Sequence, residues 1–347
     1  DIKGTAYQQQ THFLLGESFR ELNKLAEALA EYEAAFETPG PFVGQALYRL
    51  GIINYQQGNS EKAVLFLSKL CQGHAEKVDS QRRETAEIHL GVLYVQMKNL
   101  NAARDLLSKI WASKAHFFKP EAGYHLAGIT SKDKHSLLAA AKIFGEVSDR
   151  YPKHELAADA RLQQGTILST SGKYAEAQKT FEKFAVAYPD YKEIDNVTYQ
   201  LGLCLMEQQQ WQLALGHFKE VPLKSAWRDE AVYQSAWCGK RKGEKPAATK
   251  HYKELLSNHP ESPLVAYATI ELAELEFEAG ELEEAAKRLE KLVESELDGV
   301  VVVAATPSTS TLKVTSALPS LAEAEKAIAP VMKATAAMPP ANDLRKH

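Results

Sequence analysis

A small residue, Gly or Ala, recurs at eight places along the chain, at intervals of 34 to 40 residues. An alanine follows each of them 12 or 13 residues later. A large apolar residue then follows four positions after that alanine. Regular self-similarity at this period is the signature of an array of short supersecondary units. The first series is Gly16, Gly51, Gly91, Ala127, Gly165, Gly202, Ala236 and Ala273, and the large apolar series is Tyr32, Leu67, Leu107, Phe144, Phe181, Phe218, Tyr252 and Leu289.

Helix packing explains this pattern. Two antiparallel helices approach closely only where one of them presents Gly or Ala, and large apolar residues of the other helix then fill the seam. Turn residues such as Gly58-Asn59 and Ser171-Gly172 separate the two halves of a unit, and Pro152, Pro189 and Pro260 follow the second halves. The sequence therefore predicts an all-α chain of about eight helix pairs.

The units resemble the tetratricopeptide repeat. Residues 161–189 are the clearest copy, and the next copy carries Leu-Gly at Gly202, then Ala214 and Phe218. The tryptophan that the family places early in its first helix is absent throughout. The resemblance implies a right-handed α-solenoid over residues 9–298, after an N-terminal lead-in at 1–8. Long units ending in Tyr-Pro resemble the repeats of bacterial envelope proteins, such as outer-membrane assembly lipoproteins and Tol–Pal accessory proteins. That likeness implies a periplasmic or envelope-associated location, with the cytoplasm as the alternative.

Composition and motifs exclude several other functions. The net charge is −4 and the pI about 6.3, which provide no basic field for nucleic acid. The longest apolar run, Val300 to Ala305, is too short to span a bilayer. Three cysteines are too few for a disulfide-built fold. The eleven histidines are scattered, and no metal-binding, redox or phosphate-binding motif occurs. We predict no enzymatic activity, no metal and no cofactor.

A partner-binding groove is expected along the first helix of each unit, because in tetratricopeptide proteins these helices line the concave face. Tyrosine suits such a face, since it combines apolar area with a hydroxyl. The alternative is that these rings pack on the next helix. The basic run Lys240–Lys242 has two interpretations, complementing a helix C-terminus or contacting an acidic partner. The predicted groove residues are Tyr48, Tyr55, Tyr124, Tyr199, Tyr233, Trp237 and Arg241.

The last segment, residues 299–347, is rich in Ala, Pro, Ser and Thr. Val300 to Ala305 is strand-prone, and Ser320 to Glu323 has the pattern of a helix capping box. A flexible linker is one interpretation; docking on the solenoid or on a neighbouring chain is the other.

Together these features predict a non-catalytic protein–protein interaction scaffold that holds a peptide or helix of another protein in its groove, within a bacterial envelope complex. The alternative is a self-assembling structural subunit whose copies are joined through the C-terminal tail.

Overall fold

A computed structural model describes the backbone of residues 2–297 and the side chains of residues 7–293. Sixteen α-helices occupy most of this part of the chain, with two short 3-10 turns at Ala75–Lys77 and Lys134–Ser136. The helices are α1 (Ile2–Glu21), α2 (Leu25–Glu37), α3 (Val43–Gln56), α4 (Ser60–Gly73), α5 (Ser80–Gln96), α6 (Leu100–Ala112), α7 (Lys119–Thr130), α8 (Leu137–Arg150), α9 (Leu156–Thr170), α10 (Tyr174–Ala187), α11 (Ile194–Glu207), α12 (Trp211–Glu220), α13 (Arg228–Lys242), α14 (Lys245–Asn258), α15 (Val265–Glu278) and α16 (Leu282–Leu297).

The chain divides within α10 into two compact units, one ending at Thr180 and the other beginning at Phe181. In each unit consecutive helices pack against one another, so that unit 1 stacks α1 to α9 and unit 2 stacks α11 to α16. Odd-numbered helices are the first members of the pairs and are called A helices; even-numbered helices are B helices. The predicted all-α, α-solenoid fold class with eight helix pairs is confirmed.

Close approach between A and B helices occurs at the predicted small residues. A Cβ atom added to Gly51 would lie 2.3 Å from the Leu67 side chain, and one added to Gly202 would lie 2.4 Å from the Phe218 ring. These distances are shorter than any van der Waals contact, so the glycines admit the large residue of the partner helix. The predicted pairing of a small A residue with a large B residue is therefore the contact that forms the seams at Gly16, Gly51, Gly91 and Gly202.

Most turns between an A helix and its B helix contain one residue with positive φ. Glycine supplies it at Gly58, Gly172, Gly243 and Gly280, where φ is between 73° and 83°. Glycine adopts this left-handed conformation without the steric cost that a Cβ atom brings. The tight turn lets the B helix fold back antiparallel onto its own A helix.

Successive A helices contact one another within each unit. In unit 1, α3 contacts α5, α5 contacts α7 and α7 contacts α9, and in unit 2 α11 contacts α13. Contacts between successive B helices are fewer. A surface made by side chains of several A helices is therefore continuous within a unit.

Two predicted segments lie at the ends of the described chain. Because α1 begins at Ile2, residues 2–8, expected as a lead-in, are part of the first helix. The tail at residues 299–347, with its proposed strands, helix and docking role, lies outside the described residues.

Candidate functional site

Unit 1 carries a row of half-buried ring side chains on three successive A helices. We call it the tyrosine–histidine face: Tyr48 and Tyr55 on α3, His89 on α5, and Tyr124 and His125 on α7. The rings of Tyr55 and His89 bridge α3 and α5, with centroids 4.3 Å apart. Tyr124 packs edge-on against Phe144 of α8 at 5.4 Å, which fixes its position. Tyr48 and Tyr55 are seven residues apart and so share one side of α3, and Tyr124 holds on α7 the position that Tyr48 holds on α3, three residues before the small residue.

The polar atoms of this face have no hydrogen-bond partner in the part of the chain that the structure describes. None of the five side chains makes a hydrogen bond or ion pair with another described residue. By contrast, the Tyr32 hydroxyl on α2 donates to Glu17 at 2.7 Å, and the Ser235 hydroxyl on α13 donates to the Ala231 carbonyl at 2.7 Å. The face therefore presents apolar ring area together with hydroxyl and imidazole groups that remain available to a ligand.

Burial keeps this face uncharged near neutral pH. It lowers the pKa of His89 and of His125 below the ordinary value of 6.5; in His125 it outweighs the opposing effect of Glu121. Burial, with a smaller effect from Asp159, raises the pKa of Tyr124. A neutral imidazole offers one donor and one acceptor, as a peptide group does. The face is therefore suited to uncharged polar groups.

An ion-pair network joins the A helices beside this face. Glu17 of α1 accepts hydrogen bonds from Arg49 Nε of α3 at 2.6 Å and from the Tyr32 hydroxyl of α2 at 2.7 Å. Burial alone would raise the pKa of Glu17, but the hydrogen bonds from Tyr32 and Arg49 and the charges of Arg49 and Arg20 lower it below 4.5. Because its groups satisfy one another, the network links the first three helices.

The lowered pKa predicts how this network responds to acid. We expect Glu17→Gln to lower the free energy of unfolding by about 1–2 kcal/mol near neutral pH, because a neutral amide loses the charge-assisted bonds. A carboxylate with a lowered folded-state pKa stabilises the fold above its unfolded pKa, and this contribution is lost as pH falls through the folded-state value. Chemical denaturation of wild type and variant should therefore give a difference that shrinks below pH 4.5. A difference independent of pH would contradict the assignment.

The two predicted groove tyrosines of unit 2 are core residues. Tyr199 is 3% exposed and stacks on Trp227 at 5.3 Å, and Tyr233 is 8% exposed and packs against Tyr252 at 5.8 Å. The expectation that they face the groove is corrected. The alternative of rings packed between helices holds here, because Trp227 of the loop before α13 covers Tyr199, and Tyr252 of α14 packs against Tyr233.

The other two predicted residues of unit 2 remain at its surface. Trp237 is half-buried against Trp211, and the exposed Arg241 guanidinium lies 4.5 Å above the Trp237 ring. Arg241 forms no ion pair with another described residue, whereas neighbouring Lys240 pairs with Glu271 and Glu274 of α15. The basic run thus ends α13 and ties it to α15, and only Arg241 is open to an outside group.

Several histidines are structural ties between repeats. His116, in the loop before α7, bonds Glu87 of α5 at 3.1 Å, and His154, before α9, bonds Glu121 of α7 at 3.3 Å. Ser262, before α15, bonds Asp229 of α13 in the equivalent way, at 2.6 Å. Across residues 7–293, no cluster of histidine, cysteine and carboxylate side chains could hold a metal ion. Within residues 2–297, no helix contains the continuous apolar stretch that a membrane span requires.

The helix pairs of each unit, in which the second helix folds back antiparallel on the first, are typical of a tetratricopeptide-type α-solenoid. Residues 13–76 and 240–297 match the tetratricopeptide repeat family model, so the resemblance noted in the sequence is confirmed. Residues 119–236 match the model of a particular family, the outer membrane lipoprotein YfiO. The predicted likeness to repeats of bacterial envelope proteins is thereby also confirmed.

Solved structures of similar proteins include other repeat proteins. MamA from Desulfovibrio magneticus RS-1 is 18% identical, with a TM-score of 0.45 over 54% of this chain and 100% of that chain. A tetratricopeptide repeat protein from Parabacteroides merdae is 16% identical, with a TM-score of 0.44 over 73% of this chain and 94% of that chain. No curated protein matches the chain.

Proposed function

We propose that this protein is a non-catalytic scaffold that holds a segment of another protein on the tyrosine–histidine face of unit 1. The observation that carries the proposal is the set of ring side chains on α3, α5 and α7 whose polar atoms have no hydrogen-bond partner among the described residues. Aromatic residues that combine apolar area with a free polar group are typical of binding hot spots. Repeats of this kind provide binding surface rather than a reaction site, and we assign no chemical step to the face.

The dimensions of the face favour a peptide in an extended or helical conformation. Neighbouring packed helices lie about 8–10 Å apart, so three A helices cover about 20 Å. An extended peptide of about six residues spans that length at about 3.3 Å per residue. Its backbone groups would exchange hydrogen bonds with the tyrosine hydroxyls and imidazoles, and its apolar side chains would contact the rings.

An envelope location is part of the proposal. It is supported by the match of residues 119–236 to the outer membrane lipoprotein model. Immunodetection of the protein in separated cytoplasmic, periplasmic and membrane fractions of its host tests the location, and recovery in the cytoplasm alone would contradict it.

The binding proposal is tested by selecting peptides from a displayed library on the immobilised full chain and measuring their affinities. We expect Tyr55→Phe with Tyr124→Phe to weaken selected peptides about ten-fold, because two hydrogen bonds of about 0.5–1.5 kcal/mol each are lost while ring packing is kept. Tyr7→Phe, at a tyrosine outside the face, is the matched control and should leave affinity unchanged. Selection of no peptide, or equal affinities for all three proteins, would contradict the proposal.

A further inference from the structure

The last three described helices of unit 2 line an open groove with a volume of about 400 Å³. Its floor is apolar, and the Thr269 hydroxyl within it donates to the Val265 carbonyl of the same helix at 2.7 Å. An apolar occupant would therefore leave this hydroxyl satisfied. We define the α14–α16 groove by Leu256 of α14, Val265 and Thr269 of α15, and Lys287, Lys291 and Leu292 of α16.

The rim of the groove carries positive charge. Lys287 and Lys291 lie one turn apart on α16, both are exposed, and neither forms an ion pair with another described residue. Arg288, which also lines the groove, is bound to Glu276, and Glu284 contributes one carboxylate to the lining. Two free ammonium groups against one carboxylate favour an occupant that carries a negative charge beside an apolar surface.

The preceding repeat shows what closes such a groove. Arg228 of α13 holds the position of Val265, eight residues before the small A residue, and Glu254 of α14 holds that of Lys291, six residues after the B-helix alanine. Arg228 donates to Glu254 at 3.0 Å and to the Val221 carbonyl at 3.1 Å, which joins the end of α12 to α13 and α14. Valine and lysine cannot form this bridge. The α14–α16 groove is therefore open because of the residues at these two positions, since all three helices that line it are described.

A segment of the same chain, residues 320–329, has a matching sequence pattern and lies outside the described residues. It opens with the capping-box sequence and continues with Ala, Glu and Lys, which favour a helix. The apolar stripe of such a helix consists of Leu321, Ala324 and Ile328. At about 100° per residue, Glu325 falls beside this stripe, whereas Glu323 falls on the opposite side. The segment thus combines an apolar stripe with an acidic edge.

We propose that the segment 320–329 docks as a short helix in the α14–α16 groove of its own chain, with its apolar stripe on the floor and Glu325 beside Lys287 and Lys291. The lengths agree, because the stripe extends over seven residues, about 10 Å, and the lining on α16 over eight, about 12 Å. The charges are complementary, because the acidic edge of the segment meets the basic rim of the groove.

The connection is long enough for this contact. Residues 298–320, 23 in number, join the end of α16 to the stripe, and a random chain of that length spans about 25 Å on average. The middle of the groove, near Arg288, lies about 13 Å along α16 from the end of the helix. Joining both partners in one chain gives an effective concentration in the millimolar range. A contact too small to hold two separate chains together can therefore be populated within one chain.

NMR of the full chain, labelled at isoleucine, leucine and valine methyl groups, tests the contact directly. We expect NOE cross-peaks between the Ile328 δ1 methyl and the methyl groups of Leu256 and Leu292, and they should persist on dilution. Their absence would overturn the proposal. Cross-peaks that fade on dilution, together with a dimer in sedimentation velocity, would place the segment in the groove of another copy and would also overturn it.

A variant that closes the groove is the second test. Val265→Arg with Lys291→Glu copies the ion pair of the preceding repeat into the groove, so the floor is no longer accessible. We expect the cross-peaks from Ile328 to be lost while circular dichroism shows unchanged helix content. Cross-peaks that persist in this variant would contradict docking in the groove.

Charge reversal within the segment tests the orientation of the helix. Glu325→Lys should weaken the cross-peaks several-fold, because it brings a third positive charge to the basic rim, and adding Lys287→Glu with Lys291→Glu should restore them. Glu323→Lys makes the same charge change on the opposite side of the helix and is the matched control, which should leave them unchanged. Equal losses from the two glutamate variants would overturn the proposed placement. These results are independent of peptide binding to the tyrosine–histidine face, which belongs to unit 1.

Discussion

Replacing Arg288 with leucine should destabilise the last helix pair of unit 2 by about 3–5 kcal/mol. Arg288 of α16 donates two hydrogen bonds of 2.8 Å to the carboxylate of Glu276 on α15, and Glu276 is only 3% exposed. Without the guanidinium, the one cation that remains near this buried carboxylate among the described residues is Lys253, whose ammonium lies 4.0 Å from it. The loss should appear in chemical denaturation and as faster hydrogen exchange in α15 and α16.

The double variant distinguishes a lost ion pair from lost packing. Replacing Glu276 and Arg288 together with leucine removes the buried charge along with its partner, and exchange of a buried pair for apolar residues is often neutral or stabilising. We therefore expect the double variant to recover most of the stability that Arg288→Leu loses. A double variant as unstable as the single one would show that the side-chain volume of Arg288, and not its charge, is what matters.

Phe218→Ala should cost a similar amount, about 3–5 kcal/mol, because it empties the centre of a seam. Phe218 of α12 is 1% exposed, lies against the Tyr199 ring at 5.8 Å and fills the space left open by Gly202 of α11. The free energy of unfolding, measured by denaturation, reports the loss.

Gly202→Ala gives the matching control through a double-mutant cycle. When Phe218 is present, the methyl group of the alanine introduced by Gly202→Ala would meet the Phe218 ring. Overpacking of this kind costs about 1–3 kcal/mol. In the Phe218→Ala background the same methyl enters the cavity, so the cost should fall or change sign. Additive effects of the two substitutions would contradict direct contact across the seam.

The helix pairs could be predicted from the sequence because each seam depends on local chemistry repeated many times. Gly51 and Leu67, or Gly202 and Phe218, are a fixed distance apart in the chain and meet whenever two helices fold back on one another. The binding face was harder to predict, because exposure depends on how tightly neighbouring A helices pack. Tyr48 and Tyr199 hold the same register, yet the first is half-buried and the second is covered by Trp227. No local pattern around either tyrosine distinguishes the two cases.

His125 was absent from the predicted groove, although a signal for it existed. It lies two residues before the small residue Ala127, the place that His89 holds before Gly91 on the previous A helix. A histidine at the same position of two successive A helices is that signal, but the absence of hydrogen-bond partners among the described residues is visible only in the structure.

The two 3-10 turns account for the longest repeats. The intervals from Gly51 to Gly91 and from Ala127 to Gly165, 40 and 38 residues, are the two that contain Ala75–Lys77 and Lys134–Ser136. Part of the additional length thus lies in these connections, and each small A-helix residue still pairs with its own B helix although the A helices differ in length. Connections that have already absorbed inserted residues suit the attachment of a fluorophore or an affinity tag. A reporter attached at either turn would follow partner binding in living cells and would leave the side chains of the A-helix surface unchanged.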